Sequence, residues 1–299
     1  MKNLTNQAGN KLNLAGKLMD VQFGEGRTKE TNQPYKNARV TIRVTQPVNG
    51  KEETSDIQVS MFATELTSTG KPNPAWKSIN DLALMKTAQN VGIDAASRVR
   101  LTGATLQENY FVSRGRLIDS WQIRGSFINE AKVADVASFV TDIVILKMTE
   151  EIVNDEPTGR LIVRGGIVQY GGRLDVIDFI VEAPDSVEFI SRNWEVNGTV
   201  TVKGRIRVTS QEETVQAATW GEDIPETTTR FIRELIITTG DSACKEEDFA
   251  YDPVEINKAY QERKAAIEQA QIDAAKRAPK QGTNNISSAE ASGQKYGWE

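Results

Sequence analysis

The apolar positions of this chain fall mostly in two-residue steps, the spacing of half-buried strands rather than of helices. From Lys11 to Leu18 the apolar side is Leu12, Leu14 and, past Gly16, Leu18. Tyr35 to Thr45 alternates with Ala38, Val40, Ile42 and Val44 on one side, and Ile57, Val59 and Met61 continue as a third strand. Gly24 to Pro34, rich in Gly, Thr, Asn and Pro, reads as a polar loop between the first two strands. Lys71 to Pro74 breaks the pattern, and Ala75 to Asn90 changes to helical spacing with Trp76, Ile79 and Leu82 on one face. Val99 and Leu101 open a fourth strand, and Leu106 to Ile118 reads as a hairpin that closes a barrel. Three strands, a helix and two further strands is the order of an OB-fold.

The second half repeats the plan. Trp121 to Phe127 reads as its opening strand, and Phe139 to Met148 is nearly continuously apolar. Arg160 to Val168 and Leu174 to Val181 follow, with Gly171-Gly172 as the turn between them. Ser186 to Asn193 stands as a short helical turn where the first half has its helix, and Thr199 to Val208 and Phe231 to Thr238 supply the last strands. An apolar-x-Gly-x-apolar run links the halves: Leu14 to Leu18 around Gly16 and Ile123 to Phe127 around Gly125, with related runs around Gly103 and Gly204. A mid-strand glycine lets the strand of a small barrel coil without a side-chain clash. On that reading Gly16 and Gly103 serve one barrel, and Gly125 and Gly204 the other.

The expected fold is therefore all-β, two tandem OB-type five-stranded barrels with a C-terminal helix and a flexible tail. The barrels are expected over residues 11–118, basic, and 119–240, acidic, with the helix and tail over 241–299. Pro253 to Ala278 is rich in Ala, Glu, Gln and Lys, with a thin apolar stripe of Ile256, Tyr260, Ile267 and Ile272, and is expected to be an exposed helix. The Ser-, Asn- and Gly-rich run that follows is expected to be a disordered linker.

Composition narrows the chemistry. With 299 residues, 38% hydrophobic and 26% charged, the chain has the make-up of a folded protein of two domains and an extension. No apolar run approaches the roughly 20 residues that cross a bilayer, and Met1 to Asn10 lacks the apolar stretch of a secretory signal. The single cysteine, Cys244, has no intrachain partner, so the expected location is the cytoplasm. The absence of histidine removes histidine acid–base chemistry and the commonest zinc sites. Neither a phosphate loop nor a dinucleotide fingerprint is present, so no catalytic residue, cofactor or resident metal is expected. The net charge of −5 is unevenly spread. Residues 1–120 carry 16 Lys/Arg against 11 Asp/Glu, a net of +5, whereas residues 121–240 carry 12 against 19, a net of −7. A basic first third points to a polyanionic partner.

The layout of Leu12 to Leu18, the run Val59-Ser60-Met61-Phe62-Ala63, a helix and then Val99 to Leu106 resembles bacterial and phage single-stranded-DNA-binding proteins of the tandem OB-fold type. The resemblance covers residues 11–118 and, more loosely, 119–240. It implies sequence-tolerant binding of single-stranded DNA in replication or recombination, without chemistry, in the cytoplasm of the cell or of a phage's host.

Alternation then assigns the binding surface. With Ala38, Val40 and Ile42 inward, Tyr35, Arg39 and Arg43 point outward; with Val59 and Met61 inward, so does Phe62. Flat rings for bases and guanidinium groups for phosphates on the strand 2–3 surface suit a stacking platform. Arg27 and Lys36 flank the loop between strands 1 and 2, Tyr110 lies in the hairpin of strands 4 and 5, and Arg98 and Arg100 alternate outward beside Val99 and Leu101. All five join the set. Tyr296 and Trp298 at the C-terminus resemble the partner-recruiting tips of the same proteins, which implies contacts with replication or recombination proteins. Asp142, Asp175, Asp178 and Glu182 decorate the strands of the second half, where their charge suits a scaffold or docking module better than a phosphate site. Two other readings stay open: a protein-interaction adaptor, inhibitor or assembly subunit on the same barrels, and a nuclease holding Mg²⁺ on Asp142, Asp175 and Asp178.

Overall fold

Side chains that alternate inward and outward bury the inward set when a sheet closes on itself, and the strand pairing provides two such closures. The computed structural model describes residues 1–113, 116–215 and 226–277. The first barrel uses β1 (Asn10–Arg27), β2 (Pro34–Val48), β3 (Lys51–Thr64) and β4 (Arg98–Thr102). Its hairpin strand β5 (Thr105–Ser113) returns as β6 (Arg116–Gly125), which Ser126 separates from β7 (Phe127–Glu130). The meander β1–β2–β3 is antiparallel; β3 runs parallel to β6 through Val59↔Ile123, β7 pairs with β4 through Leu101↔Ile128, and β4 returns to β1 through Leu14↔Leu101. Helix α1 (Pro74–Leu82) starts at Asn73, whose side chain accepts from the Ala75 N–H, and buries Ile79 and Leu82 in the core; α2 (Ala88–Val91) follows.

The second barrel repeats this circuit with β8 (Val136–Val153), β9 (Glu156–Val168), β10 (Leu174–Val181), α3 (Pro184–Asn193), β11 (Thr199–Val215) and β12 (Glu226–Gly240). Here β10 runs parallel to β12 through Ile180↔Ile236, and β11 closes on β8 through Val202↔Thr141. The opening strands of the two barrels also pair with each other, antiparallel from Asn10↔Thr141 to Ala15↔Val136, so all twelve strands form one sheet. Leu14, Leu18, Val40, Ile42 and Val59 fill the first barrel; Phe139, Ile143, Val163, Phe179 and Val202 fill the second. The Phe139 and Phe179 rings meet at 5.6 Å between centroids.

The boundary between the barrels differs from the one the sequence pattern predicts. Pairing carries the first barrel to Glu130, so the expected break after residue 118 falls inside β6. Trp121 to Phe127, expected to open the second barrel, is part of the fifth strand of the first. Gly125 accordingly faces Leu101 and Val59 of the first barrel. The connection from Ala131 to Asp135 carries neither Gly nor Pro, so no break in composition marks the change of domain.

The C-terminal helix is docked rather than exposed. Helix α4 (Pro253–Arg277) buries Ile256, Ala259 and Ile267, while Ile272 stays in solvent. Arg263 anchors it: its Nε lies 2.8 Å from both carboxylate oxygens of Glu108 on β5, a side chain only 3% exposed. The Glu108 carboxylate also accepts from the Val176 N–H on β10 at 3.2 Å, and Asp175 accepts from the Glu108 N–H at 3.0 Å. One ionic node thus ties the hairpin of the first barrel, the second barrel and α4 together. Replacing Arg263 with alanine strands the buried Glu108 carboxylate and is expected to lower stability by about 2–4 kcal/mol, read as a drop in the urea midpoint. An unchanged midpoint would show that the node contributes nothing. Among the described residues no helix is long and apolar enough to cross a membrane.

Candidate nucleic-acid interface

The outward face of β1, β2, β3 and β6 is organised in cross-strand rows. Gln22 pairs with Arg39, Arg39 with Ser60, and Ser60 with Arg124. The next row sets Gly24 beside Asn37 and Asn37 beside Phe62, and a third sets Gly26 beside Tyr35. The two glycines shape the surface. A Cβ on Gly24 would fall 2.5 Å from Asn37 Oδ1, and one on Gly26 2.8 Å from the Tyr35 Oη. Bare backbone at these positions lets both side chains lie flat across β1. Tyr35 and Phe62 are diagonal neighbours on β2 and β3 and touch with ring centroids 5.3 Å apart, tilted by 32°. Phe62 remains 44% exposed. Beside it opens a cleft of about 480 Å³ whose lining includes Gln22, Asn37, Arg39, Phe62, Gln122 and Arg124. Arg39 and Arg124 are exposed, their side chains enter no hydrogen bond or ion pair among the described residues, and no carboxylate lines the cleft.

The structure therefore brings Tyr35, Arg39 and Phe62 together and adds Arg124 and Gln122, which the sequence reading left in the other barrel. Trp121 and Ile123 are buried, so alternation alone places Gln122 and Arg124 outward. The alternation marks both residues as outward, and the parallel pairing of β6 with β3 puts them on the first barrel rather than the second.

Other expected residues are engaged elsewhere. Lys36 alternates to the side of α1, where its ammonium donates to Asn80 Oδ1 at 2.6 Å and stands 4.9 Å from the Trp76 ring centroid. Arg43 points outward but makes two 2.7 Å hydrogen bonds to the Asp56 carboxylate, its cross-strand neighbour, so its charge is already balanced. Arg98 donates to the Val133 carbonyl at 2.8 Å and pairs with Asp135. Arg27 is exposed at the end of the β1–β2 arm and donates to the Asn32 carbonyl at 2.9 Å. Arg100 is exposed on β4, around the barrel from the cleft. Tyr110 lines a separate cavity of about 270 Å³ with Glu108, Arg173, Asp175 and Arg263 beneath α4. Tyr296 and Trp298 lie outside the described residues.

The second barrel presents a different chemistry. On its β9–β10 surface Arg164 makes two 2.7 Å bonds to Asp178, and Glu182 receives Arg205 at 3.0 Å and pairs with Arg207. Burial pushes the Glu234 carboxyl up, but Arg160 and Arg207 outweigh it and hold the group below its ordinary range. Asp142 is likewise held low despite its burial, by Lys245 at 2.8 Å, Thr201 at 2.7 Å and the Gly9 N–H. Asp175 sits deeper, and there desolvation prevails and raises its carboxyl. The hairpin of the first barrel reaches over this surface, with the Arg233 guanidinium 4.3 Å above the Trp121 ring. Asp142, Asp175 and Asp178 thus answer to separate partners. Among the described residues no group of three or more Cys, Asp or Glu side chains is placed to share a metal ion.

Comparison with known proteins adds a family and a fold. A family model described as YorF matches residues 8–273. No curated protein sequence matches the chain. Among solved structures, a deletion mutant of the single-stranded DNA binding protein from Thermus aquaticus superposes with a TM-score of 0.51 at 12% identity, over 83% of this chain and 98% of that one. The wild-type Thermus aquaticus protein gives 0.51 at 10% identity, over 81% and 96%. At such identities the likeness is one of fold, of the OB type.

Proposed function

This chain belongs to the YorF family, and we propose that it binds single-stranded DNA, without regard to sequence, on the outward face of its first barrel. The observation that carries the reading is the cleft itself, where the exposed Phe62 ring, backed by Tyr35, lies beside the row Arg39–Ser60–Arg124, whose two guanidinium groups have no partner among the described residues. Stacked bases need flat apolar faces that any base satisfies, and the phosphates between them need fixed cations. The strand 2–3 surface of an OB-fold is also where such ligands usually lie. A duplex keeps its bases stacked inside and offers none to the Phe62 ring, so the same cleft disfavours it. On the β9–β10 surface of the second barrel Arg164, Arg205 and Arg207 are already paired with Asp178 and Glu182, which suits a scaffold. Sequence-tolerant holding of a single strand fits a cytoplasmic role in replication or recombination, with Tyr296 and Trp298 available to recruit partner proteins.

Fluorescence-anisotropy titration with a labelled ~30-nucleotide oligo-dT and with duplex DNA tests the reading, since one OB-fold covers about 4–16 nucleotides. Tight, salt-sensitive binding to the single strand and weak binding to the duplex is the expected result. Indifference to both at low salt would overturn it and leave the barrels as a protein-interaction module.

A further inference from the structure

A second set of unpaired cations stands on the outer surface of the seam where β1 and β8 join the barrels. Lys11 on β1, Arg100 on β4 and Lys203 on β11 are exposed, and their side chains enter no hydrogen bond or ion pair among the described residues. The register Lys11↔Val140↔Lys203 sets two of them in one row across β1, β8 and β11, and Arg100 faces outward from β4 on the other side of β1. The exposed side chains between them, Asn13, Thr102, Phe127 and Val140, are uncharged. The nearest carboxylate along β8, Asp142, already receives Lys245 and Thr201.

This surface is continuous with the cleft. The fifth strand of the first barrel carries Arg124 at the cleft, turns at Gly125 and Ser126, and then presents Phe127, 36% exposed, beside Thr102 on the seam side. The corner is small and neutral. Gly103 sits there with φ of 62°, and a Cβ on it would lie 3.2 Å from Ser126. The exposed side chains at the corner between Arg124 and Arg100 are thus uncharged, and the flanking carboxylates Asp135 and Asp142 already receive Arg98 and Lys245. A second copy of the chain docked face to face would instead oppose like charges across the seam, which is unfavourable.

We infer that the bound single strand continues past Arg124 around this corner and lays its phosphates on Arg100, Lys11 and Lys203, so that one chain holds DNA on the cleft and on the seam in succession. The inference rests on the proposed function. Its test separates the two, because a strand short enough to fill only the cleft does not reach the seam.

The full chain carrying Lys11→Ala, Arg100→Ala and Lys203→Ala is titrated against oligo-dT of ~8 and ~30 nucleotides at several salt concentrations, lengths set by the span of one OB-fold. The short strand is expected to bind the variant and the unmodified chain alike. The long strand is expected to lose affinity, and its log–log salt slope to fall by roughly 2, at about 0.7 per lost phosphate contact. An unchanged slope with the long strand, while the short one still binds, overturns the seam path and spares the cleft. A change of oligomeric state in the variant, read by sedimentation, also overturns it by making the face a contact between copies. If the unmodified chain binds neither strand, the proposed function fails and the seam path with it.

Discussion

Replacing Phe62 with alanine is expected to weaken binding of single-stranded DNA by roughly 5- to 150-fold, since one lost stacking platform is worth about 1–3 kcal/mol. The ring is 44% exposed and rests against Tyr35, so its removal clears the cleft without opening the core, and the unfolding midpoint should stay near that of the unmodified chain. Arg39→Ala combined with Arg124→Ala acts through phosphate instead. It is expected to flatten the salt dependence by roughly 1.4 in log–log slope, at about 0.7 for each contact. Removing Arg43 and Asp56 together should leave that slope unchanged, because the pair is already neutral at 2.7 Å. Anisotropy titrations across a salt series read all three variants. Full affinity in Phe62→Ala would place the bases elsewhere on the protein.

A large effect on stability is expected at Gly16. A Cβ there would stand 2.1 Å from the Arg43 carbonyl oxygen and 3.1 Å from the Ile42 side chain. The obstacle is the backbone of β2, which cannot step aside without breaking the β1–β2 ladder. Gly16→Ala is expected to cost more than about 4 kcal/mol, enough to leave much of the protein unfolded. Gly50→Ala provides the contrast. That residue has φ of 77° in the β2–β3 turn with nothing within 4 Å, so only the left-handed backbone resists, at about 1–2 kcal/mol. Urea titrations of the two variants compare a clash with a conformational preference; equal costs would contradict the close approach of β1 and β2.

The mid-strand role of Gly16 was legible in the sequence, and so was the β-rich double-barrel plan, because inward side chains repeat every two residues. Tyr35, Arg39 and Phe62 followed from the same alternation. Arg124 did not, because the fifth strand of one barrel and the first of the next look alike as patterns and the connection between them has no Gly or Pro. The neutralisation of Arg43 was available in principle. Asn49-Gly50 forms a two-residue turn with positive φ at both positions, and counting back from it pairs Val48 with Lys51 and hence Arg43 with Asp56. The engagement of Arg98 with Asp135 was not available, since it joins a strand to a connection 37 residues away. Nor was the docking of α4, whose sparse apolar stripe is completed by Ala259 and by the bond from Arg263 to a buried glutamate.

The central claim is that the single strand lies on the outward face of the first barrel, and photo-crosslinking tests it most directly. Oligo-dT bearing a photoreactive base would be bound to the full chain, irradiated and mapped by mass spectrometry. The expected crosslinks fall on β2, β3 and β6, with Tyr35 and Phe62 foremost. Crosslinks confined to the second barrel, between Val136 and Gly240, would contradict the account.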